Sequence, residues 1–362
     1  MTAVPVSESP AWPAGWDRAW RKLKTNYFRN TRDGMTTLLV VGLAFYILYL
    51  VIPWAILNAT WIGTGRVDCR QDGACWAFIT NRFGQFIYGF YPSGQQWRVE
   101  LAGGLFAIGL IALAIPRLPF KPAIGAFVLF VFPAVACFLL AGGALGLEPV
   151  GTEQWGGLML TLTVATSVFG LSFVLGLILM LGRNSGMPVF KILSILTIEL
   201  CRGLPLVMVL FMAITMLPFF FPSGFDLNKL ALTVFAMALF QSAFFAEVFR
   251  GGLQAIGKGQ YEACTALGLG YWKTHYLVIL PQVLRNTVPA IINNSISLIK
   301  DTTLIMVVGL FDLLNIVSAG TADPNWLGST LEGYVFVGLV FWIICFCLSR
   351  CGESLEHSLR KG

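Results

Sequence analysis

Apolar residues in this chain gather into long runs, and polar positions are confined to short breaks between them. A helix needs ~20 mainly apolar residues to cross a hydrocarbon core about 30 Å thick. Runs of that kind occupy roughly 36–57, 101–116, 122–142, 157–182, 203–221, 230–249, 286–304 and 331–349. The pattern predicts an all-α polytopic membrane protein with about eight transmembrane helices. The second run is short, and the seventh is weakened by Asn293, Asn294, Lys300 and Asp301.

Two polar stretches stand apart from the runs. In the first, Trp12, Trp16, Trp20, Leu23 and Tyr27 recur at three- and four-residue spacing, with Arg18, Arg21, Lys22 and Lys24 between them. That spacing predicts a helix lying in the membrane interface, rings down and cations towards headgroups; packing on another subunit is the alternative. The stretch is too polar to supply the apolar core of a secretory signal.

The second stretch runs from Arg250 to Arg285, and two short amphipathic helices outside the membrane are expected in it. Ile256, Tyr261, Cys264 and Leu267 would share one side of the first, and Trp272, His275/Tyr276 and Ile279 one side of the second. Gly268-Leu-Gly270 reads as the turn between them, and Pro281 as the close of the second. Such helices need a surface to bury against, most simply another protein.

Composition sharpens the class. The chain is 57% hydrophobic and only 12% charged, with mean hydropathy +0.76, about half the charge density of a soluble domain. The net charge of +6 suggests nucleic acid or lipid as partner, and the placement of the charges decides for the membrane. With the N-terminus inside, 18 of the 24 lysines and arginines fall in cytoplasmic segments, as the positive-inside rule requires. Both termini and the stretch 250–285 are then cytoplasmic.

An external loop at 58–100 follows the first span. It holds Cys69 and Cys75, for which bonded and free states both stay open if the compartment is oxidising. Layout divides the chain into an amphipathic segment 1–35, an N-terminal transmembrane extension 36–150, a five-span core 151–350 and a tail 351–362. The character of the chain changes near residue 150, after which spacing tightens and intramembrane polar residues multiply.

Catalytic chemistry is thin. Gly252-Leu-Gln-Ala-Ile-Gly257-Lys258-Gly259 imitates a phosphate-binding loop, yet Gly259 stands where a hydroxyl must hold Mg²⁺, and no strand precedes it. Only His275 and His357 are present, without metal-ligand spacing, and Cys345, Cys347 and Cys351 read as packing thiols. No enzyme and no metal site are expected.

Polar residues inside spans are costly and usually line a cavity or a helix contact. Thr166 in span four, Glu199 before span five, and Asn293, Ser297, Lys300 and Asp301 in span seven are the candidates for a substrate path. Asn293, Ser297 and Lys300 share one helical face, an amide, a hydroxyl and a cation suited to a zwitterion. Helix–helix hydrogen bonding, with Lys300 snorkelling and paired to Asp301, is the plainer alternative.

The run Glu262-Ala263-Cys264, three residues, Gly268, nine residues, Val278, one residue, Leu280-Pro281 resembles the cytoplasmic-loop motif of ABC-importer permeases. Cys264 and Val278 replace the alanine and isoleucine of the family pattern. Glu199-Leu-Cys-Arg202-Gly203-Leu-Pro205-Leu206 and Lys300-Asp301-Thr302-Thr303-Leu304 resemble the polar amino-acid (histidine/glutamine-type) subfamily. Length and layout are most similar to the M-type permease of general L-amino-acid importers.

The resemblance implies a type I importer core and half of a translocation path for a broad range of L-amino acids. It implies a cytoplasmic ABC ATPase dimer that binds ATP and Mg²⁺, while this chain holds no cofactor. A second permease, forming a heterodimer, and a periplasmic amino-acid-binding protein complete the set, in a bacterial inner membrane. Glu262, Ala263, Cys264, Gly268, Leu280 and Pro281 would couple to the ATPase. A secondary transporter or channel for small polar solutes is the alternative; it explains the polar spans and leaves 250–285 unexplained.

Overall fold

A computed structural model of the chain describes residues 25–115, 120–222 and 228–361. The Trp12–Leu23 pattern and Pro116-Arg-Leu-Pro119 lie outside them. By contacts the chain forms two compact units, Met1–Ala77 and Phe78–Gly362.

In the first unit, helix α1 (Thr31–Ile52) is followed by a π turn, Pro53–Leu57, and by an irregular segment stapled in three ways. Cys69 and Cys75 are bonded, with Cα atoms 5.5 Å apart. Trp76 donates its indole N–H to the Ala55 carbonyl at 2.8 Å, and its ring lies against Trp54 and Trp61. The Asp68 carboxylate accepts the Thr64 and Gly65 amides at 2.8 and 3.3 Å, and the Thr64 bond holds its pKa below the usual value. A segment too short for a core is fixed by covalent and polar ties.

The second unit opens with α2 (Ala77–Tyr88), then α3 (Gln96–Ala114) and α4 (Ala123–Ala141). Seven helices with long apolar windows and one bent pair account for up to eight spans. The core comprises α5 (Gly157–Arg183), α6 (Pro188–Gly203), α7 (Leu206–Thr215), α8 (Lys229–Gln254), α10 (Tyr271–Val308) and α12 (Thr330–Lys361). A short α9 (Lys258–Ala266) precedes α10, and α11 (Ile316–Thr321) precedes α12.

α5 and α8 form the central pair. A Cβ on Gly176 would sit 2.7 Å from the Phe245 Cβ, so the small residue is what allows the two backbones to close. Around that contact, Phe173, Phe245 and Phe249 meet with centroids 5.2–6.1 Å apart, in the offset and edge geometries that ring quadrupoles favour. Leu160, Val164, Leu210, Met237 and Ile305 extend the same core to the other end.

Two expectations are corrected. The fifth apolar run, expected as one span at 203–221, holds only the short α7, which forms a bent pair with the preceding α6 at 109°. Pro205 lacks an amide proton, and Leu204 before it is forced into the extended region (φ −106°, ψ 144°), which ends the helix. The ten residues of α7 rise only ~15 Å, too little to cross alone. The second correction concerns the polar stretch: its second half is no separate helix, because Tyr271–Val308 is continuous for 38 residues. A π turn at Thr274–Ile279 carries the helix past Pro281, which sits in the first turn of the α-helical part that follows, where no donor is needed. Leu267, expected on the packed side of the first half, is 77% exposed.

At the far end of α10 the chain turns at Gly309, and Phe311–Asp312 (β1) bridges in parallel to Gly156–Gly157 at the start of α5. Thr161 accepts the Leu313 amide at 2.9 Å, and Asn315 donates to the Thr303 carbonyl at 2.9 Å. Asp312 is fully buried; its Oδ1 accepts both the backbone and side-chain N–H of Asn315, whereas Oδ2 has no partner. Phe78 and Phe86 of α2 are buried here against Trp326 and Phe336, and Arg82 pairs with Asp323.

Burial pushes the Asp312 carboxyl above its ordinary pKa. A raised folded value means stability present below ~4 and lost as pH rises through the folded value. Asp312→Asn keeps the Oδ1 acceptor and removes the ionisation. Thermal midpoints against pH should therefore coincide with wild type in acid and lie above it with a widening gap as pH rises; parallel curves would remove the carboxyl from this role.

Candidate functional site

Helices α5, α6 and α8 end in a cluster of charges at the face that carries residues 250–285. Arg183 closes α5 and meets Glu247 of α8 at 2.8 Å and Glu199 of α6 at 3.3 Å. Arg250, one turn beyond Glu247, holds the other carboxylate oxygen through two hydrogen bonds of 2.6 and 3.0 Å. Arg202 approaches the same oxygen at 3.9 Å. Glu247 is the hub, its side chain only 17% exposed, and a bidentate contact of this kind is the strong form of a salt bridge.

Glu199 lies in the second half of α6, where Arg183 of α5 meets it. It also sits at the opposite end of the core from Lys300. Thr166 spends its hydroxyl on the Leu162 and Thr163 carbonyls of its own helix, at 2.8 and 3.2 Å. The structure therefore does not gather Thr166, Glu199 and the α10 residues into one place.

The α10 residues do form one surface. Asn286, Pro289, Asn293, Ser297 and Lys300 are all exposed, at spacings of three, four, four and three. The opposite side of α10 buries Val283, Thr287 and Leu298 against the core. Among the described residues no ion pair or side-chain hydrogen bond reaches Lys300 or Asn293, while Asp301 is half-buried beside Lys300. Asn286 was legible at the same helical spacing and was missed only because it lies at the polar end of the run. The role of Arg183 had no sequence signal, since its partners stand 16 and 64 residues away.

The motif residues in α9 divide by environment. Cys264 is 3% exposed; Glu262 and Ala263 face outward. Gly268 has φ +68°, and the Leu269 amide reaches back to the Cys264 carbonyl at 3.0 Å. This is the left-handed helix stop that glycine makes without strain. Desolvation raises the Tyr261 phenol above its usual pKa as it packs inward beside His275. Gln260 and Gln282 are joined at 3.2 Å, tying α9 to the start of α10.

Among the described residues no cluster of three or more metal-ligating side chains occurs. The hub makes one clear prediction. Glu247→Gln leaves Arg183 and Arg250 facing each other without a carboxylate, and should lower stability by roughly 1–3 kcal/mol. The thermal midpoint of the purified protein should fall by several degrees, whereas Glu353→Gln, in an exposed pair with Arg350, should leave it unchanged; equal effects would refute the hub.

Comparison with known proteins shows what the chain is similar to. Residues 172–361 match the family described as binding-protein-dependent transport system inner membrane component. The inner membrane amino-acid ABC transporter permease protein YhdY of Escherichia coli (strain K12) is 44% identical over 100% of this chain and 99% of its own. The glutamate/glutamine/aspartate/asparagine transport system permease protein BztC of Rhodobacter capsulatus is 34% identical over 90% of this chain and 91% of its own. Among solved structures, an amino acid ABC transporter crystallised with histidines superposes with a TM-score of 0.50 at 27% identity, covering 56% of this chain and 92% of that one.

Proposed function

The chain belongs to the family of binding-protein-dependent transport inner membrane components, as a multi-pass, non-catalytic permease subunit of an amino-acid ABC importer, and from that premise we propose how its parts divide the work. The fold implies an ATPase and a second permease as partners. In our reading the termini and residues 250–285 are cytoplasmic, as the charge distribution favours. A heterodimeric permease pair, an ATPase dimer carrying ATP and Mg²⁺, and an external amino-acid-binding protein make up the complex. Broad-range L-amino acids are the substrates.

The observation that carries this reading is the polar stripe on α10. An amide, a hydroxyl and an unpaired ammonium are exposed on a helix that crosses the membrane. Such groups are expensive against lipid tails and stable against an aqueous path or another subunit. Asn293, Ser297 and Lys300 then line the path between the two permeases, with Lys300 meeting the substrate carboxylate and Asp301 its ammonium. Thr166 and Glu199 drop out of the set, the first satisfied within α5 and the second held by Arg183.

Coupling runs through α9. Glu262 and Ala263 offer an outward polar face to the ATPase, Cys264 anchors the helix inward, and Gly268 sets the turn into α10. Leu280 and Pro281 begin the α-helical part of the span. A movement of α9 reaches the stripe through the continuous α10, while the Glu247 hub holds α5, α6 and α8 together, so the path alternates between two openings.

Two measurements test the scheme. Nothing stands within 4 Å of a Cβ at Gly268, so substitutions there act through backbone strain of ~1–2 kcal/mol. Gly268→Asn, which tolerates the left-handed region, should retain ATP-driven uptake in vesicles, and Gly268→Val should lose most of it while still inserting; normal uptake by Gly268→Val would sink the lever. Lys300→Ala should raise the half-saturating amino-acid concentration about tenfold or more, the value of a lost charged hydrogen bond. An unchanged concentration for both Lys300→Ala and Asn293→Ala would move the substrate site elsewhere.

A further inference from the structure

We propose that Tyr271, Trp272, Tyr276 and Leu277, with Lys273, form an anchor in the lipid headgroup layer, distinct from the ATPase contact assigned to α9. The inference rests on that assignment of α9 only for the contrast it draws. These four large side chains are 53%, 73%, 74% and 59% exposed, a concentration of aromatic surface that none of the described helices covers. On the inward side of the same turns Thr274 and Ile279 are buried at 7% and 1%, and Ile279 packs with Met180 and Val283. The outer face is therefore a surface in its own right.

Its position says what lies against it. The backbone is helical without a break from Tyr271 to Val308. At ~1.5 Å per residue those 38 residues rise about 57 Å, well beyond a hydrocarbon core of ~30 Å. The polar stripe places Asn286 to Lys300 at membrane depth, so the aromatic turns fall at the boundary on the 250–285 side. Tyrosine and tryptophan concentrate at that depth, because a ring body suits the acyl edge and its polar tip suits water and headgroup oxygens. Among the described residues neither phenol nor the indole N–H has a hydrogen-bond partner, and Lys273 is exposed beside them, suited to lipid phosphate.

α9 presents the opposite chemistry. Lys258, Gln260, Glu262 and Thr265 face outward there, and its inward contacts are Tyr261 and Cys264. The two halves of the polar stretch thus offer a polar face and an aromatic face, suited to a protein surface and to a membrane surface. Pinning the start of α10 at the headgroups turns a push on α9 into a tilt of α10, with the π turn at Thr274–Ile279 as the flexible element.

Depth-resolved quenching tests the anchor. Trp272→Cys and, separately, Glu262→Cys are labelled with bimane in full-length protein carrying Cys347→Ser and Cys351→Ser. The protein is reconstituted with and without its ATPase in phosphatidylethanolamine/phosphatidylglycerol vesicles containing 5-doxyl lipid. The anchor predicts that the label at 272 is quenched several-fold more than the label at 262, and that ATPase leaves this quenching unchanged. A label at 272 that lipid nitroxide does not quench, whether ATPase shields it or not, overturns the anchor. Quenching at 272 together with no effect of ATPase on the label at 262 supports the anchor and removes α9 as the ATPase contact, so the two readings fail separately.

Discussion

A bilayer interior offers no water to a peptide group, and this constraint governs the molecule. Every backbone amide at membrane depth must be paired within its own segment, so each apolar run becomes a helix whatever its local propensity. The exceptions are informative because each is compensated. The break at Leu204-Pro205 is made where proline has no donor to satisfy. The bridge of Phe311–Asp312 to Gly156–Gly157 is backed by Thr161 and Asn315, which accept and donate where the helix pattern has stopped.

The same constraint gives polar side chains their meaning. Several hydroxyls within the spans, such as Thr166, Ser172, Thr233 and Thr287, fold back onto carbonyls of their own helix and are thereby neutral to their surroundings. The residues that do not fold back are the ones with work to do. Glu247 collects three arginines from three helices at one end, and Asn293, Ser297 and Lys300 remain uncommitted along α10. One set joins helices to each other; the other waits for something outside the chain.

α10 links these parts. Its start packs on α9 through Gln260 and Gln282, its middle carries the stripe, and its end is tied to α5 through Asn315, Thr303 and Thr161. A helix held at both ends and continuous between them transmits displacement with little loss. A permease has to do this, since its nucleotide chemistry happens on another polypeptide.

Helix number, membrane class and the family motif were legible from residue order alone, because a hydrocarbon slab reads only length and polarity, and because Glu262-Ala263-Cys264 and Gly268 are local in sequence. The face shared by Asn293, Ser297 and Lys300 was legible too, since helical periodicity fixes which residues are neighbours. The tertiary structure alone decided the rest. It joined the second half of the 250–285 stretch to its span and set α7, the helix of the fifth run, at 109° to α6. It also separated Glu199 from Lys300 and brought Arg183 to Glu247 across 64 residues. Those outcomes depend on which helix ends meet in space, and no one-dimensional pattern of polarity contains that distance.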